Sequence, residues 1–230
     1  MIRDKIYRNQ SVYEGFNFRP EAVDLQSWGQ DHPLFHHCIS VLKPKLIIEV
    51  GSWKGVSAIC MARSLNTLGL RCEVLCVDTW LGSPEHWLAS GDNEFWFDSL
   101  GIVNGYPTLY NTFLNNVISQ GLQEYITPLP LPSETAFFVL ERLDEKAQLI
   151  YIDAGHEYES VYRDIQMYWK LLDNDGVMVL DDFNSWPGVS KAVYQFAYEN
   201  DLFVWGEYGK AVISKNKEIS LRSKITINDQ

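Results

Sequence analysis

The segment from Lys45 to Asp78, KLIIEVGSWKGVSAICMARSLNTLGLRCEVLCVD, constrains the fold of this chain more than any other. It opens on an apolar, β-branched run (Leu46, Ile47, Ile48, Val50) of the kind found in parallel strands buried on both faces. Gly51 and Gly55 follow, then a helical pattern from about Val56 to Leu68 with Ile59, Cys60, Ala62 and Leu65 as inward positions. A second strand, Glu73 to Val77, ends on Asp78. Strand, glycine turn, helix and an acid-tipped second strand make the half-unit that holds an adenosine-containing ligand. Glycines let backbone approach the ligand, the helix start offers N–H groups to its anionic end, and the acid can accept from ribose hydroxyls. The spacing from Glu49 is E-x-G-x-x-x-G, not the dinucleotide pattern G-x-G-x-x-G. A tight turn with no ligand also explains two glycines; the acid at the strand tip favours the nucleoside reading.

The remaining chain continues the alternation. Leu109–Gln120 reads as a helix closed by Gly121, and Tyr125–Leu129 as a third strand. Ser133 and Glu134 open the next helix as cap and first-turn acid. Gln148–Asp153 is a fourth strand, Tyr158–Leu172 an amphipathic helix, and Asp173-Asn174-Asp175-Gly176 a turn into a fifth strand, Val177–Leu180. A helix over Val189–Glu199 precedes two closing strands, Leu202–Gly206 and Ala211–Ser214. The pattern predicts an α/β, Rossmann-like, doubly wound and mostly parallel sheet, with helices on both faces and a closing antiparallel strand. Residues 1–30 read as an N-terminal arm, 31–214 as the domain and 215–230 as a polar tail. Asp31 caps a helix with Pro33 in its first turn; His32 and His36 have metal-ligand spacing there, but a surface or capping role is favoured. Residues 79–108, rich in glycine and tryptophan, are too long for an ordinary connection and read as a lid or specificity insertion, with local aromatic packing as the other reading.

A net charge of −11 argues against generic binding to nucleic acid or an anionic membrane. No apolar run reaches membrane-spanning length, and the polar N-terminus carries no signal-peptide core. The cysteines (Cys38, Cys60, Cys72, Cys76) show no metal or redox spacing, so a reducing cytoplasm is expected. The oligomeric state is left open, a homo-oligomer included.

The chemistry concentrates at the ends of the fourth and fifth strands. Asp153 ends one, Asp181 and Asp182 the other, and neighbouring parallel strands finish on the edge where ligands bind. Three converging carboxylates repel unless protonated or bound to a cation, and a hard divalent ion is the natural partner. His156, three residues past Asp153, can reach the same pocket as a general base. Each has a plain alternative: a helix cap for Asp153, a surface residue for His156, a solvated turn for Asp181-Asp182.

The segments IIEVGSWKGVSA, CVDTWLGS, LIYIDAGHEYESVYRDI and GVMVLDDF, in this order and spacing, resemble the class I S-adenosylmethionine-dependent O-methyltransferases. The resemblance covers roughly residues 40–200 and is nearest to the macrocin-type sugar enzymes and the cephalosporin-related enzymes, more distantly to catechol O-methyltransferase. It implies a seven-stranded sheet and roles at matching positions. Glu49, Gly51 and the turn Ser52, Trp53, Gly55, Ser57 would hold the methionine part of the cofactor, with Asp153 bordering it. Asp78 would take the ribose, Trp80 would lie near the adenine or shape the pocket, and Ser133 would contact the adenine. Asp153, Asp181 and Asp182 would hold Mg²⁺ or another divalent cation, and His156 would be the base. Catechol-type members carry a lysine at the histidine's position and Asp-Asn in place of Asp181-Asp182. The implied reaction is metal-assisted O-methyl transfer to a hydroxyl of a small molecule: a sugar, phenolic diol or natural-product scaffold. A nicotinamide-dependent oxidoreductase and a catalytically inactive cofactor-binding protein are the rival readings.

Overall fold

In the computed structural model, which describes residues 1–27, 32–88, 94–207, 209–216 and 218, the strands form one seven-stranded sheet. These are β1 (Leu46–Val50), β2 (Glu73–Asp78), β3 (Ile126–Pro130), β4 (Ala147–Ile152), β5 (Leu172–Leu180), β6 (Trp205–Glu207) and β7 (Lys210–Ser214). Their order is β3-β2-β1-β4-β5-β7-β6; β1 to β5 run parallel, β7 lies antiparallel to β5, and β6 pairs antiparallel with β7. The predicted fold class is the observed one.

The helices divide between the faces as strand alternation dictates. The helices are α1 (Ile2–Ile6), α2 (Pro33–Leu42), α3 (Val56–Thr67), α4 (Pro84–Trp87), α5 (Glu94–Asp98), α6 (Leu109–Ser119), α7 (Ser133–Leu143), α8 (Tyr158–Leu171) and α9 (Pro187–Glu199). Leu46, Ile48 and Val50 of β1 face a core built with α7, α8 and α9, whereas Ile47 faces the core built with α2, α3 and α6. Both faces of β1 are therefore dry, and a continuous apolar run is what such a strand needs.

Register levels the strand ends. Val50 pairs with Val77 on one side and Ile152 on the other, and Ile152 pairs with Leu180. The chain winds outward in both directions from β1 and β4, so a crevice opens above their carboxyl ends. Across the antiparallel junction Leu180 pairs with Ala211, which sets Asp181 beside Lys210.

Some boundaries differ from the predicted ones. β5 begins at Leu172, not Val177: Ala147 pairs with Leu172, the Asp173–Gly176 stretch loops out, and pairing resumes at Leu149 with Val177. The predicted turn survives as a bulge, with Asp173 Oδ1 accepting the Asp175 N–H. Helix α2 is capped by His32, whose Nδ1 accepts the Leu34 N–H at 3.2 Å; Asp31, predicted as the cap, lies outside the described residues. The 79–108 stretch contains α4 and α5 and buries Trp80 and Leu100; residues 89–93 lie outside the described residues.

The arm is tied to the sheet edge. The Ile2 and Arg3 N–H groups donate to buried Glu73 of β2, Tyr7 Oη donates to the Pro128 carbonyl and Tyr13 Oη to that of Ile126. Further on, the Arg19 and Asp24 N–H groups donate to Asn115 and Asn116 of α6. Of the predicted tail, Lys215 donates to the Leu172 carbonyl and Asn216 to Asp175; most of the rest lies outside the described residues. Among the described residues no helix is long and apolar enough to cross a membrane.

Candidate active site

A cavity of about 580 Å³ occupies the crevice, within the range of small-molecule sites. Its wall runs from the β1–α3 loop past Asp78, Leu131, Pro132 and Ser133 to Asp153, His156 and Asp182.

The β1–α3 loop is fixed by a few polar contacts. Asp78 Oδ2 accepts the Ser52 and Trp53 N–H groups, both at 2.8 Å, and Oδ1 accepts the Trp80 N–H at 2.7 Å. Burial pushes the Asp78 carboxyl up against these bonds. Beneath the loop, Glu49 is fully buried and accepts the hydroxyls of Ser52 and Ser57; burial raises its pKa to about 7. Gly51 has φ +86°, and a Cβ there would lie 1.9 Å from the Asp153 carbonyl oxygen. Glycine is needed because β1 and β4 meet so closely. Gly55 (φ +82°) caps α3, and a Cβ there would strike the Phe113 ring at 2.7 Å. Trp53, Trp80 and Asp182 all take left-handed backbone, at φ +48°, +54° and +55°. Such conformations cost energy in residues other than glycine and gather where a site dictates the chain path.

The arm closes one end of this loop. The Lys54 side chain is 2 % exposed, and its Nζ contacts Asp24 Oδ2 at 2.6 Å and Gln26 Oε1 at 3.3 Å. Asn116 Nδ2 donates to the carbonyls of both Asp24 and Lys54, so one buried amide joins arm, loop and α6.

At the other end His156 is held on several sides. Nε2 lies 3.0 Å from Asp182 Oδ2, and Nδ1 lies 3.5 Å from Glu85 Oε1 of α4. The Trp186 ring stacks on the imidazole, with centroids 4.5 Å apart and planes 7° from parallel. Gly188 passes so close that a Cβ would lie 2.3 Å from the His156 carbonyl oxygen. The hydrogen bond to Asp182 raises the His156 pKa; burial opposes it, and Glu85 and Asp153 add to the rise.

The three strand-end aspartates converge as predicted, but both oxygens of Asp181 and one each of Asp153 and Asp182 are engaged within the protein. Asp181 Oδ2 contacts Lys210 Nζ at 2.6 Å and accepts from Tyr151 Oη; Asp181 Oδ1 accepts the Asp182 N–H at 2.8 Å. Tyr151 Oη also lies 2.9 Å from Asp153 Oδ2. Burial and the adjacent Asp181 hold Asp153 well above the usual carboxylate range. Burial works the same way on Asp181, but Lys210 outweighs it and keeps that carboxyl low. Asp153 and Asp182 line the large cavity and Asp181 does not; all three, with His156, line a second pocket of about 10 Å³. Among the described residues no three His, Cys, Asp or Glu side chains stand together as a metal ion would need. The predicted divalent-ion site therefore does not fit this arrangement: an ammonium group already neutralises its middle ligand.

Of the predicted cofactor residues, Gly51, Ser52, Trp53, Ser57, Asp78, Ser133 and Asp153 line the cavity. Glu49, Gly55 and Trp80 stand behind that wall. Glu49 braces the loop from below, and Trp80 donates from Nε1 to the Trp53 carbonyl at 2.7 Å while packing on Phe113 and Tyr110. Sequence reasoning missed Glu85, His86, Trp96, Asp164 and Trp186, which also line the cavity. Asp164 accepts from Ser133 Oγ at 2.7 Å, and burial raises its pKa to about 6. Its signal was legible: an acid within the inward stripe Val161, Ile165, Tyr168 of α8. His86 and Trp53 stack at 4.4 Å, a contact between segments that sequence does not pair.

Three comparisons bear on this geometry. Solved structures with similar folds include the O-methyltransferase NovP (TM-score 0.60, 18% identity, 80% of this chain and 78% of that one). The calicheamicin methyltransferase CalS11 aligns with TM-score 0.55 and 16% identity over 79% of this chain and 76% of that one. TomG of Streptomyces achromogenes, an O-methyltransferase solved with S-adenosylmethionine, aligns with TM-score 0.55 and 13% identity over 84% and 83% of the two chains. An uncharacterized protein, R132 of Acanthamoeba polyphaga mimivirus, is 30% identical over 67 residues, 26% of this chain and 30% of that protein. The family model described as "Methyltransferase domain" matches residues 48–183, more than half of the chain, from β1 through the strand-end aspartates. By that match the chain belongs to the methyltransferase-domain family.

Proposed function

We propose that this chain transfers a methyl group from S-adenosylmethionine to a hydroxyl of a small molecule, with His156 as general base. One observation carries the reading: a single cavity reaches from the loop pinned by Asp78 to an imidazole whose Nε2 is anchored on Asp182. Ser52, Trp53, Ser57, Asp78 and Ser133 would hold the cofactor, which supplies an electrophilic methyl group when bound. The chain's own residues do the rest. Asp182 accepts a hydrogen bond from Nε2–H, which fixes the tautomer and leaves the Nδ1 lone pair for the acceptor hydroxyl. The Trp186 stack holds the ring in place, and Gly188 packs against the His156 backbone carbonyl. Glu85 lies beside Nδ1, where it stabilises the imidazolium formed once the proton has moved.

A sugar, phenolic diol or natural-product scaffold suits the aromatic walls of Trp53, Trp96 and Trp186. CalS11, a TDP-rhamnose 3'-O-methyltransferase of similar fold, supports the sugar. Relatives solved with S-adenosylmethionine or S-adenosylhomocysteine support the cofactor. Metal assistance, expected from the sequence, has no step here because Lys210 holds Asp181. The arm and the 79–108 segment would cover the site, since Gln26, Ser27, Glu85, His86 and Trp96 stand at or beside the cavity. A cytoplasmic location suits cysteines that form no disulfide.

Calorimetric titration with S-adenosylhomocysteine against NAD(H) tests the cofactor; preference for the nicotinamide would overturn the reading in favour of an oxidoreductase. Methyl transfer to sugar and catechol panels should then fall by roughly 10²–10⁴ in His156→Ala, as for a lost general base. The wild-type rate should rise with pH through a value above the ordinary histidine pKa. Asp182→Asn removes the largest cause of that elevation, so the rising limb should move to lower pH. An unmoved limb would show that His156 is not the titrating base.

A further inference from the structure

Lys210 opens β7, and its place follows from register: Leu180 pairs with Ala211, so the lysine meets Asp181 across the antiparallel junction. The residue is 3 % exposed, too buried to lend its charge to solvent. Its ammonium contacts Asp181 Oδ2 at 2.6 Å and donates to Tyr151 Oη at 3.2 Å. The faces of Phe35 and Tyr151 lie 5.7 and 5.2 Å from it, within cation–π range. Tyr151 Oη in turn stands between Asp181 Oδ2 and Asp153 Oδ2, so the lysine's influence reaches both strand ends.

A cluster of acids beside a ligand cavity calls for positive charge, and a protein can meet that need with a bound ion or with a side chain of its own. We propose that Lys210 is this chain's built-in counter-cation for Asp153, Asp181 and Asp182, and that its methyl transfer, on the functional reading above, needs no divalent ion. Three features favour the side chain over an ion. Asp181 has both oxygens engaged, one by Lys210 and Tyr151 and the other by the Asp182 N–H. Asp153, Asp181, Asp182 and His156 do meet around a small pocket, but its volume of about 10 Å³ is barely room for one water, and Asp182 Oδ2 is already committed to His156. An ion that captured Asp181 would leave a buried ammonium without its carboxylate and place a second cation beside it, and both effects oppose binding. Lys210 thus acts as a positioning residue: it fixes the Asp181 carboxylate and the Tyr151 hydroxyl beneath the site.

Mn²⁺ titration of the full-length protein, followed by electron paramagnetic resonance, tests this without reference to turnover. The wild type should bind Mn²⁺ no tighter than millimolar, and EDTA should leave any methyl transfer unchanged. Lys210→Met removes the charge at similar volume and frees Asp181, so its Mn²⁺ affinity should rise at least about tenfold, whereas Lys210→Arg should stay as weak as wild type. Micromolar binding of one Mn²⁺ by the wild type would overturn the proposal, as would a folded Lys210→Met protein with unchanged affinity. Should Lys210→Met fail to fold, the wild-type titration and the EDTA result decide alone. Failure of the methyltransferase reading would appear separately, as absent S-adenosylhomocysteine binding.

Discussion

Glu49→Gln offers a quantitative test of how the loop under the cavity is held. Glu49 is fully buried, with its carboxylate receiving the hydroxyls of Ser52 and Ser57. Burial dominates and lifts its pKa from 4.5 to about 7. The sign follows from proton linkage. Between the unfolded and folded values the native state binds more protons than the unfolded state, so this group's contribution is fully present at low pH and is lost as pH rises toward 7. Across the whole window the difference amounts to about 3 kcal/mol; between about pH 5.5 and about pH 8 it is about 2 kcal/mol. Glutamine keeps an acceptor and a donor for the serines and has no charge to desolvate. The mutant's stability relative to wild type should therefore climb by about 2 kcal/mol over that range, or roughly 4–8 °C in Tm for a chain of this size. Asp78 and Asp153, also raised by burial, titrate in both proteins and cancel in the difference. Urea unfolding by tryptophan fluorescence at matched pH values measures it. Parallel stability curves would refute the reasoning, because Glu49 would then ionise in the folded state as easily as in the unfolded one.

Two further substitutions probe the cavity's frame. Gly51→Ala should cost about 3–5 kcal/mol in urea unfolding, because a Cβ 1.9 Å from the Asp153 carbonyl forces β1 and β4 apart; cofactor affinity would fall through the sheet edge rather than through a blocked contact. Asn116→Leu should cost about 2–4 kcal/mol by leaving Asp24 and Lys54 backbone groups unsatisfied. Limited proteolysis should then cut near Asp24 faster than in wild type; an unchanged cleavage pattern would mean the arm is held by its other contacts.

The sheet was legible because its signals are local. Most parallel strands are short apolar runs, the longer helices have a stripe, and acids at the strand ends mark the ligand edge. Asp153, His156 and Asp182 could be placed together on that logic, since β4 and β5 are registered so that their carboxyl ends finish level. What escaped depends on contacts between distant segments. Nothing in GVMVLDDF says that Trp186 will lie flat on His156, or that Glu85 of α4 will approach the imidazole from the other side. The glycines were recognised for their conformational freedom, but not for the neighbours that exclude a Cβ: the Asp153 backbone at Gly51, which also lines the cavity, and Phe113 at Gly55.

The metal expectation and the structure part at a single residue, and the reason is topological. Reading acids at the tips of parallel strands takes account of β1 to β5, which all end on the ligand edge. β7 runs the other way, so it begins at that edge, and its first residue becomes part of the same cluster. In the linear sequence Lys210 reads as the last residue of the turn before an apolar strand. Once β7 is docked on β5 it is an interior cation bonded to Asp181 and Tyr151. Three carboxylates considered alone ask for a divalent ion; the same three beside an inward-pointing ammonium and an imidazole already have counter-charge. The closing strand, which the sequence marks only as a departure from the dinucleotide enzymes, thus sets the electrostatics of the site.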